Sequence, residues 1–242
     1  MKTAHSTQTK YHNFNEFLSV EFAPGLSGKS GTQLMYMYRR TVEKENPVIL
    51  ELGTEKGAST TVFLQACEEQ NGKLVSVDLM DCSDVSDSPH WQFIQADSTN
   101  VEFILEKAPH LREGIDVLYI DSLHTREHVE KELMGWYPYL NKEAWIFFDD
   151  VDSTPYKKGN RKDKFLTEIN LDQIYEYVKS FFYANEDSLY LSIIYGSTGL
   201  AILYKLSAKN TVPQPARVIY HRRNNIFSGL SDRLTRLKTR IF

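Results

Sequence analysis

Acidic side chains stand at the ends of two apolar segments in the second half of the chain. Asp121 follows the segment 115–120, and Asp149 and Asp150 follow the segment 144–148. Because the carboxyl ends of neighbouring parallel strands meet at one edge of a sheet, the three carboxylates should converge. Such carboxylates repel one another unless a cation lies among them, and Mg²⁺ prefers oxygen ligands. The pattern predicts a magnesium site, although one or two of these acids could instead cap helices or lie in loops.

A histidine accompanies the first of these acids. His124 lies three residues after Asp121. The pKa of an imidazole lies near neutral pH, so His124 could act as the base for a substrate hydroxyl. It could equally cap the helix that we expect over 126–136, or line the pocket passively. His128 lies one helical turn later, where we expect an exposed helix residue.

A glycine turn near residue 53 is the strongest ligand-binding signal in the first half. The apolar segment 48–52 contains Glu51 and is followed by Gly53 and Gly57, and Ser59 opens a helical pattern that extends to about residue 70. Glycine lets a backbone approach a ligand closely, and a helix N-terminus offers free N–H groups. The order of strand, turn and helix therefore predicts a ligand site at a strand end.

Two further polar positions end predicted strands. Asp78 closes the segment 73–78, at a spacing from Gly53 that suits a carboxylate accepting hydrogen bonds from ribose hydroxyls, although Asp78 could instead cap a helix. Asp97 and Ser98 follow the strand at 91–95.

The alternation of apolar segments and helical patterns predicts the fold class. Five strands alternate with helices or loops up to residue 148, and two more strands, 189–195 and 200–206, are joined by a four-residue loop. This order predicts an α/β protein with a doubly wound, mostly parallel seven-stranded sheet and a C-terminal antiparallel hairpin.

Size and composition limit the possible classes of protein. The chain has 242 residues, of which 41% are hydrophobic, which favours one domain with extensions over two domains. The net charge of −4 argues against a nucleic-acid-binding surface. The first residues lack the apolar core of a signal peptide, no apolar run reaches membrane-span length, and Cys67 and Cys82 fit no metal-binding spacing. We therefore expect reduced thiols and a cytoplasmic protein.

The segments outside 47–206 are expected to be extensions of the domain. We expect residues 1–46 to form a cap or lid segment with a helix at 33–45. Its Gly28-Lys29-Ser30 resembles a phosphate-binding loop, but Ala23 stands where that motif needs glycine. The alternatives are a mobile loop and a lid whose Lys29 or Ser30 contacts substrate.

The C-terminal extension, 207–242, is strongly basic. It carries eight Lys or Arg residues against one acid, and apolar residues recur every three or four positions from Ile226 to Ile241. This pattern predicts a basic amphipathic helix. The helix could pack on the core or on a second subunit of a homo-oligomer, contact a membrane surface or an anionic glycan, or bind nucleic acid, which we expect least.

Taken together, these motifs resemble the class I S-adenosylmethionine-dependent methyltransferases over residues 47–206. The segment from Asp121-Ser122 to Glu132-Leu133, with Pro138-Tyr139-Leu140, looks like the cephalosporin hydroxylase and rhamnosyl O-methyltransferase group and the metal-dependent sugar O-methyltransferases. The resemblance implies cofactor binding by Glu51, Gly53, Gly57, Ser59, Asp78, Asp97 and Ser98. It implies Mg²⁺ ligation by Asp121, Asp149 and Asp150, and catalysis by Asp121 and His124.

One departure from that group concerns the base. Related sugar O-methyltransferases often carry a second Asp where this chain has Leu123, so His124 becomes the better candidate base, or the activity is altered or lost. The expected function is Mg²⁺-assisted methyl transfer to a hydroxyl of a small molecule or glycan sugar. The alternatives are a dinucleotide-dependent oxidoreductase and a non-catalytic scaffold.

Overall fold

The computed structural model describes residues 9–23 and 29–217. Its strands are β1 (Val48–Leu52), β2 (Lys73–Asp78), β3 (Trp91–Gln95), β4 (Ile115–Ile120), β5 (Leu140–Asp149), β6 (Leu189–Ile194) and β7 (Leu200–Lys205). Its helices are α1 (Phe14–Glu21), α2 (Lys29–Thr41), α3 (Ala58–Gln70), α4 (Val101–Lys107), α5 (Arg126–Trp136) and α6 (Phe165–Ala184).

The strands form one seven-stranded sheet in the order β3-β2-β1-β4-β5-β7-β6. The first five strands in this order are parallel, and β7 pairs antiparallel with both β5 and β6. The predicted fold class, including the terminal hairpin, is confirmed. The strand order reverses between β1 and β4, and ligands of open α/β sheets bind at such a point, outside the carboxyl ends of the strands.

Helices cover both faces of the sheet because the central strands are apolar on both sides. On one face Phe17 of α1, Met37 of α2 and Phe63 of α3 pack with Ile49 and Phe147. The other face belongs to α4, α5 and α6, whose buried side chains include Ile104, Trp136 and Phe181. The helices of the first 46 residues therefore share the core of the sheet.

Several boundaries differ from the sequence expectation. Helix α2 begins at Lys29, not at residue 33, and β5 begins at Leu140, where it pairs with Ile115 across a register shift. The phosphate-loop interpretation is wrong for the described part, since helix α1 and not a strand precedes α2. The predicted basic helix falls largely in 218–242, which lies outside the described residues. No helix in 9–23 or 29–217 has the length and apolarity needed to cross a membrane.

Candidate active site

A cavity of about 610 Å³ opens at the carboxyl ends of the parallel strands. Its wall is built by the turn after β1, the ends of β2 and β3, the segment after β4, the end of β5 and the start of α2. Lining residues include Gly53, Ser59, Asp78, Ser98, Asp121, His124 and Asp149. The structure thus brings seven of the predicted site residues into one cavity.

Gly53 owes its conformation to a neighbouring strand. Its φ is +98°, and a Cβ there would overlap the carbonyl oxygen of Asp121 and lie 2.6 Å from that carbonyl carbon. We expected close approach to a ligand, and the structure adds close approach to the backbone that follows β4. Gly57, with φ +70°, precedes α3, where a Cβ would overlap Val85. Gly57 is not among the described residues that line the cavity.

Glu51 lies beneath the cavity and does not reach its wall. The side chain is fully buried and accepts hydrogen bonds from Ser59 Oγ (2.6 Å), Thr60 Oγ1 (2.8 Å) and Ser76 Oγ (2.5 Å). Burial raises the pKa of Glu51 to about 7, against the lowering effect of these three donors. Glu51 therefore joins β1, β2 and the first turn of α3 and positions the cavity-lining Ser59.

Asp78 holds two loops at the cavity mouth. Its Oδ2 accepts hydrogen bonds from the backbone N–H groups of Thr54 (2.9 Å) and Glu55 (3.1 Å), and its Oδ1 accepts one from Met80 (2.9 Å). In this arrangement Asp78 fixes the glycine turn. Ribose binding by the same carboxylate stays a prediction.

Asp97 and Ser98, which lie two and three residues after β3, differ in their exposure. Asp97 is exposed and accepts hydrogen bonds from the backbone N–H (2.9 Å) and Oγ1 (2.7 Å) of Thr99, which lower its pKa. Ser98 is buried and lines the cavity. Of this pair, only Ser98 is placed to touch a ligand in the cavity.

A buried glutamate connects three residues of the cavity wall. One oxygen of Glu132 accepts hydrogen bonds from Ser98 Oγ and Ser122 Oγ, both at 2.5 Å, and lies 3.3 Å from His128 Nε2. His128 Nε2 is also 3.0 Å from Ser98 Oγ. The expectation that His128 is an exposed helix residue is wrong, because its side chain is only 14% exposed and lines the cavity. The spacing of His128 and Glu132 on α5 was the available signal.

In the same cavity, His124 bridges two of the predicted metal ligands. Its Nε2 lies 3.1 Å from Asp121 Oδ1, and its Nδ1 lies 2.6 Å from Asp150 Oδ2. Burial opposes charge on His124, but the hydrogen bonds to both carboxylates outweigh it and raise its pKa to about 11. His124 is thus a protonated partner of Asp121 and Asp150 at neutral pH, which makes it a poor proton acceptor in this arrangement.

A tyrosine that we did not predict joins the same cluster. Tyr119 Oη donates towards Asp121 Oδ2 (2.9 Å) and Asp149 Oδ2 (3.3 Å), and it lines the cavity. Burial and the neighbouring carboxylates raise the pKa of Asp149 well above its usual range, and burial likewise raises the pKa of Asp121. Tyr119 lies within an apolar strand, so its sequence context gave no sign of a polar role.

The carboxylates supply the oxygen donors that Mg²⁺ prefers, but their arrangement does not fit an ion. In the described part of the chain, no group of three or more His, Cys, Asp or Glu side chains is arranged to hold a metal. Both nitrogens of His124 already face Asp121 and Asp150. Asp150, with φ +58°, is not among the described residues that line the cavity.

Helix α2 closes the cavity from above. Ser30 Oγ lies 3.2 Å from Ser197 Oγ, and Gln33 Nε2 donates a hydrogen bond to the carbonyl oxygen of Gly196 (2.8 Å). Ser30 and Gln33 also line the cavity. These contacts join the start of α2 to the loop between β6 and β7. The lid role of residues 1–46 stays a prediction.

Residues 50–151, which span β1 to the residue after Asp150, match the family described as "Methyltransferase domain". Over this segment the chain is similar to a methyltransferase domain. Together with the strand order, this match confirms the resemblance to the class I S-adenosylmethionine-dependent methyltransferases. The antiparallel β7 separates this domain from an all-parallel dinucleotide-binding sheet.

Solved methyltransferases share the fold of this domain at low sequence identity. MycE methyltransferase from the mycinamycin biosynthetic pathway, in complex with Mg and SAH, matches with a TM-score of 0.55 and 19% identity, over 84% of this chain and 56% of that chain. A putative caffeoyl-CoA O-methyltransferase from Staphylococcus aureus matches with a TM-score of 0.55 and 15% identity, over 79% and 90%. SAH-bound PaMTH1 from Podospora anserina matches with a TM-score of 0.58 and 11% identity, over 81% and 90%.

A viral protein is similar in sequence to part of this chain. The uncharacterized protein R132 of Acanthamoeba polyphaga mimivirus is 29% identical over 126 residues, which cover 46% of this chain and 54% of that protein. The chain therefore spans about half the length of this relative and of MycE.

Proposed function

We propose that this protein is an S-adenosylmethionine-dependent O-methyltransferase that acts on a hydroxyl group of a small molecule or glycan sugar. The observation that carries the proposal is a single cavity that is lined both by the glycine turn and by the carboxylate cluster. Gly53 lies against the Asp121 backbone, and Ser98, His124 and Asp149 line the same cavity. A methyl donor bound against the glycine turn would have its sulfur near the carboxylate cluster.

The residues of the cluster have separate roles in this proposal. When bound, S-adenosylmethionine supplies an activated methyl group, so the protein must align the acceptor oxygen and remove its proton. Asp121 lines the cavity and takes that proton, since burial raises its pKa and makes it a stronger base. His124 holds Asp121 in place and balances its charge. The base role that the sequence suggested for His124 thus passes to Asp121.

Magnesium assistance is the finer part of the proposal. Two observations support it. Three neighbouring carboxylates supply the oxygen donors that Mg²⁺ prefers, and MycE, a protein of the same fold, was solved in complex with Mg. Because His124 lies between Asp121 and Asp150, the imidazole would have to move before an ion could bind both. Association into homo-oligomers, contact of the basic tail with anionic surfaces and a cytoplasmic location also stay predictions.

Two experiments test this function. Calorimetry should show binding of S-adenosylhomocysteine and no binding of NAD, and binding of NAD alone would favour an oxidoreductase. A screen of hydroxylated acceptors with radiolabelled S-adenosylmethionine, with EDTA or with added Mg²⁺, should then detect labelled product. Cofactor binding without transfer to any acceptor in the screen would favour a non-catalytic scaffold.

A further inference from the structure

The loop that follows β5 is strongly basic between residues 157 and 164. Its basic side chains are Lys157, Lys158, Arg161, Lys162 and Lys164, all of them exposed, and the same stretch holds a single acid, Asp163. Within 9–23 and 29–217, none of these basic residues forms an ion pair. Like charges on one short loop repel one another, and an anionic ligand would relieve that repulsion.

Hydrogen bonds within the loop bring Lys162 back to the cavity. The backbone N–H of Lys162 donates to the carbonyl oxygen of Pro155 (2.9 Å), and that of Lys164 donates to the carbonyl oxygen of Tyr156 (3.0 Å). These bonds close the loop on itself. Of the basic residues in the loop, Lys162 is the one found among the described residues that line the cavity.

The ammonium group of Lys162 has donors to spare. Its Nζ lies 3.4 Å from Tyr156 Oη and 5.2 Å from the centre of the Tyr156 ring. An ammonium carries three N–H donors, and the tyrosine hydroxyl accepts at most one of them. The others remain for water or for a ligand in the cavity.

Lys162 also lies near the carboxylate cluster without pairing with it. Burial opposes charge on Asp150, but the hydrogen bond with His124 and the charge of Lys162 help to lower its pKa. The Lys162 ammonium is nevertheless beyond ion-pair distance of every described carboxylate. An acceptor whose hydroxyl reaches Asp121 could therefore place a second group at Lys162.

Two other lysines that line the cavity are placed differently. Lys10 lies 3.7 Å from Glu21, and Lys56 belongs to the glycine turn, where we expect the methyl donor. Lys162 instead follows the strand that ends in Asp149. Its charge is thus the one available to the acceptor.

We propose that Lys162 is a specificity-determining residue that binds an anionic oxygen group, a phosphate or a carboxylate, on the acceptor. This inference rests on the proposed function, because it concerns the acceptor of the same methyl transfer. Lysine binds such groups as a compact charge with rotatable N–H donors. The remaining basic residues of the loop would attract the anion to the cavity mouth.

The test uses acceptors that differ in charge alone at one position. Calorimetry on the whole chain, saturated with S-adenosylhomocysteine, compares glucose with glucose 6-phosphate and glucuronate, and catechol with protocatechuate. We expect a charged member to bind the wild type about tenfold or more tightly than its neutral counterpart. The stronger of glucose 6-phosphate and glucuronate identifies the group as phosphate or carboxylate.

Two matched variants locate the effect. Lys162→Met removes the charge and keeps the length of the side chain, so the preference for the charged member should fall at least about fivefold. Lys158→Met makes the same change on the same loop, at an exposed residue that is not among those described as lining the cavity, and should keep the wild-type preference. An equal loss in both variants would assign the effect to the overall charge of the loop and overturn the role of Lys162.

The affinity for the cofactor separates this inference from the proposed function. Lys162→Met should bind S-adenosylhomocysteine within about threefold of the wild type, and a larger loss would assign Lys162 to the cofactor and overturn the inference. Equal wild-type affinity for charged and neutral members, binding of none of them, or an unchanged preference in Lys162→Met would also overturn it. A wild type that does not bind S-adenosylhomocysteine would overturn the proposed function, and the inference with it.

Discussion

Replacing Gly53 by alanine should disrupt the cavity through the backbone of Asp121. Gly53 N donates to Val77 O (2.8 Å), and Asp121 N donates to Leu52 O (2.8 Å), so both residues are held in the sheet where they meet. A Cβ on Gly53 would lie 2.6 Å from the Asp121 carbonyl carbon and 3.1 Å from Ser122 N. Neither strand end can move away without straining these hydrogen bonds.

The expected loss has two parts. A positive φ costs a non-glycine residue about 1 kcal/mol or more. Strain on the two sheet hydrogen bonds adds about 1 kcal/mol each. Gly53→Ala should therefore lower the free energy of unfolding by about 3 kcal/mol. It should also weaken S-adenosylhomocysteine binding at least about tenfold, because Asp121 and Ser122 both line the cavity.

Gly159 provides the matched control. It has φ +81°, and nothing lies within 4 Å of the position of its Cβ. Gly159→Ala therefore carries the strain of a positive φ without the overlap, and should cost about 1 kcal/mol. Urea unfolding and calorimetry measure both variants. Equal losses of stability in the two variants, or wild-type affinity in Gly53→Ala, would refute the argument from the Asp121 backbone.

Three further predictions concern the titratable groups. Asp121→Asn should lower kcat, measured with an acceptor from the screen, about 100-fold or more. The affinity for S-adenosylhomocysteine should stay within about threefold of the wild type. An unchanged kcat would exclude Asp121 as the base. Lys205 is fully buried, and burial lowers its pKa to about 8. Above that pH the unfolded chain binds more protons than the folded chain, so the free energy of unfolding should rise between about pH 8 and 10. Urea unfolding of Lys205→Met should lack this rise. The pKa of Glu51 is about 7 in the folded chain and lies above the usual 4.5. Its contribution to the free energy of unfolding is therefore fully present below pH 4.5 and is lost as the pH rises through 7. The free energy of unfolding of Glu51→Gln should not show that decline. If the variant and the wild type depend on pH in the same way, another group is responsible for the decline.

The fold was largely predictable because its signals are local. Apolar segments that end in glycine or acidic residues marked β1, β2 and β4, and the periodicity of 126–136 gave the bounds of α5. The start of α2 was missed by four residues, because its first turn carries Gly31 and polar residues that resemble a loop. That turn is held by tertiary contacts, such as that of Gln33 with Gly196, which no local pattern records.

Seven of the predicted site residues line the cavity, so its lining was predictable in part, but the role of each residue was not. Strand ends placed Asp121, Asp149 and Asp150 together, as expected of parallel neighbours. Their side-chain directions depend on the backbone of Asp150, whose φ of +58° sends adjacent carboxylates to different partners. Asp149 faces Tyr119, whereas Asp150 faces His124. A sequence pattern does not specify such a dihedral angle for a non-glycine residue.

One short segment, 121–132, supplies two polar centres of the cavity. Asp121 pairs with His124 in one, and His128 pairs with Glu132 beside Ser98 in the other. The two histidines lie four residues apart, and both line the cavity. In each centre an imidazole raises the number of donors around a buried or partly buried carboxylate, which limits the cost of burying charge. Because α5 carries His128 and Glu132 and begins directly after His124, a shift of this helix would disturb both centres at once. The packing of α5 through Leu133 and Trp136, which are fully buried, thus sets the geometry of both polar centres together.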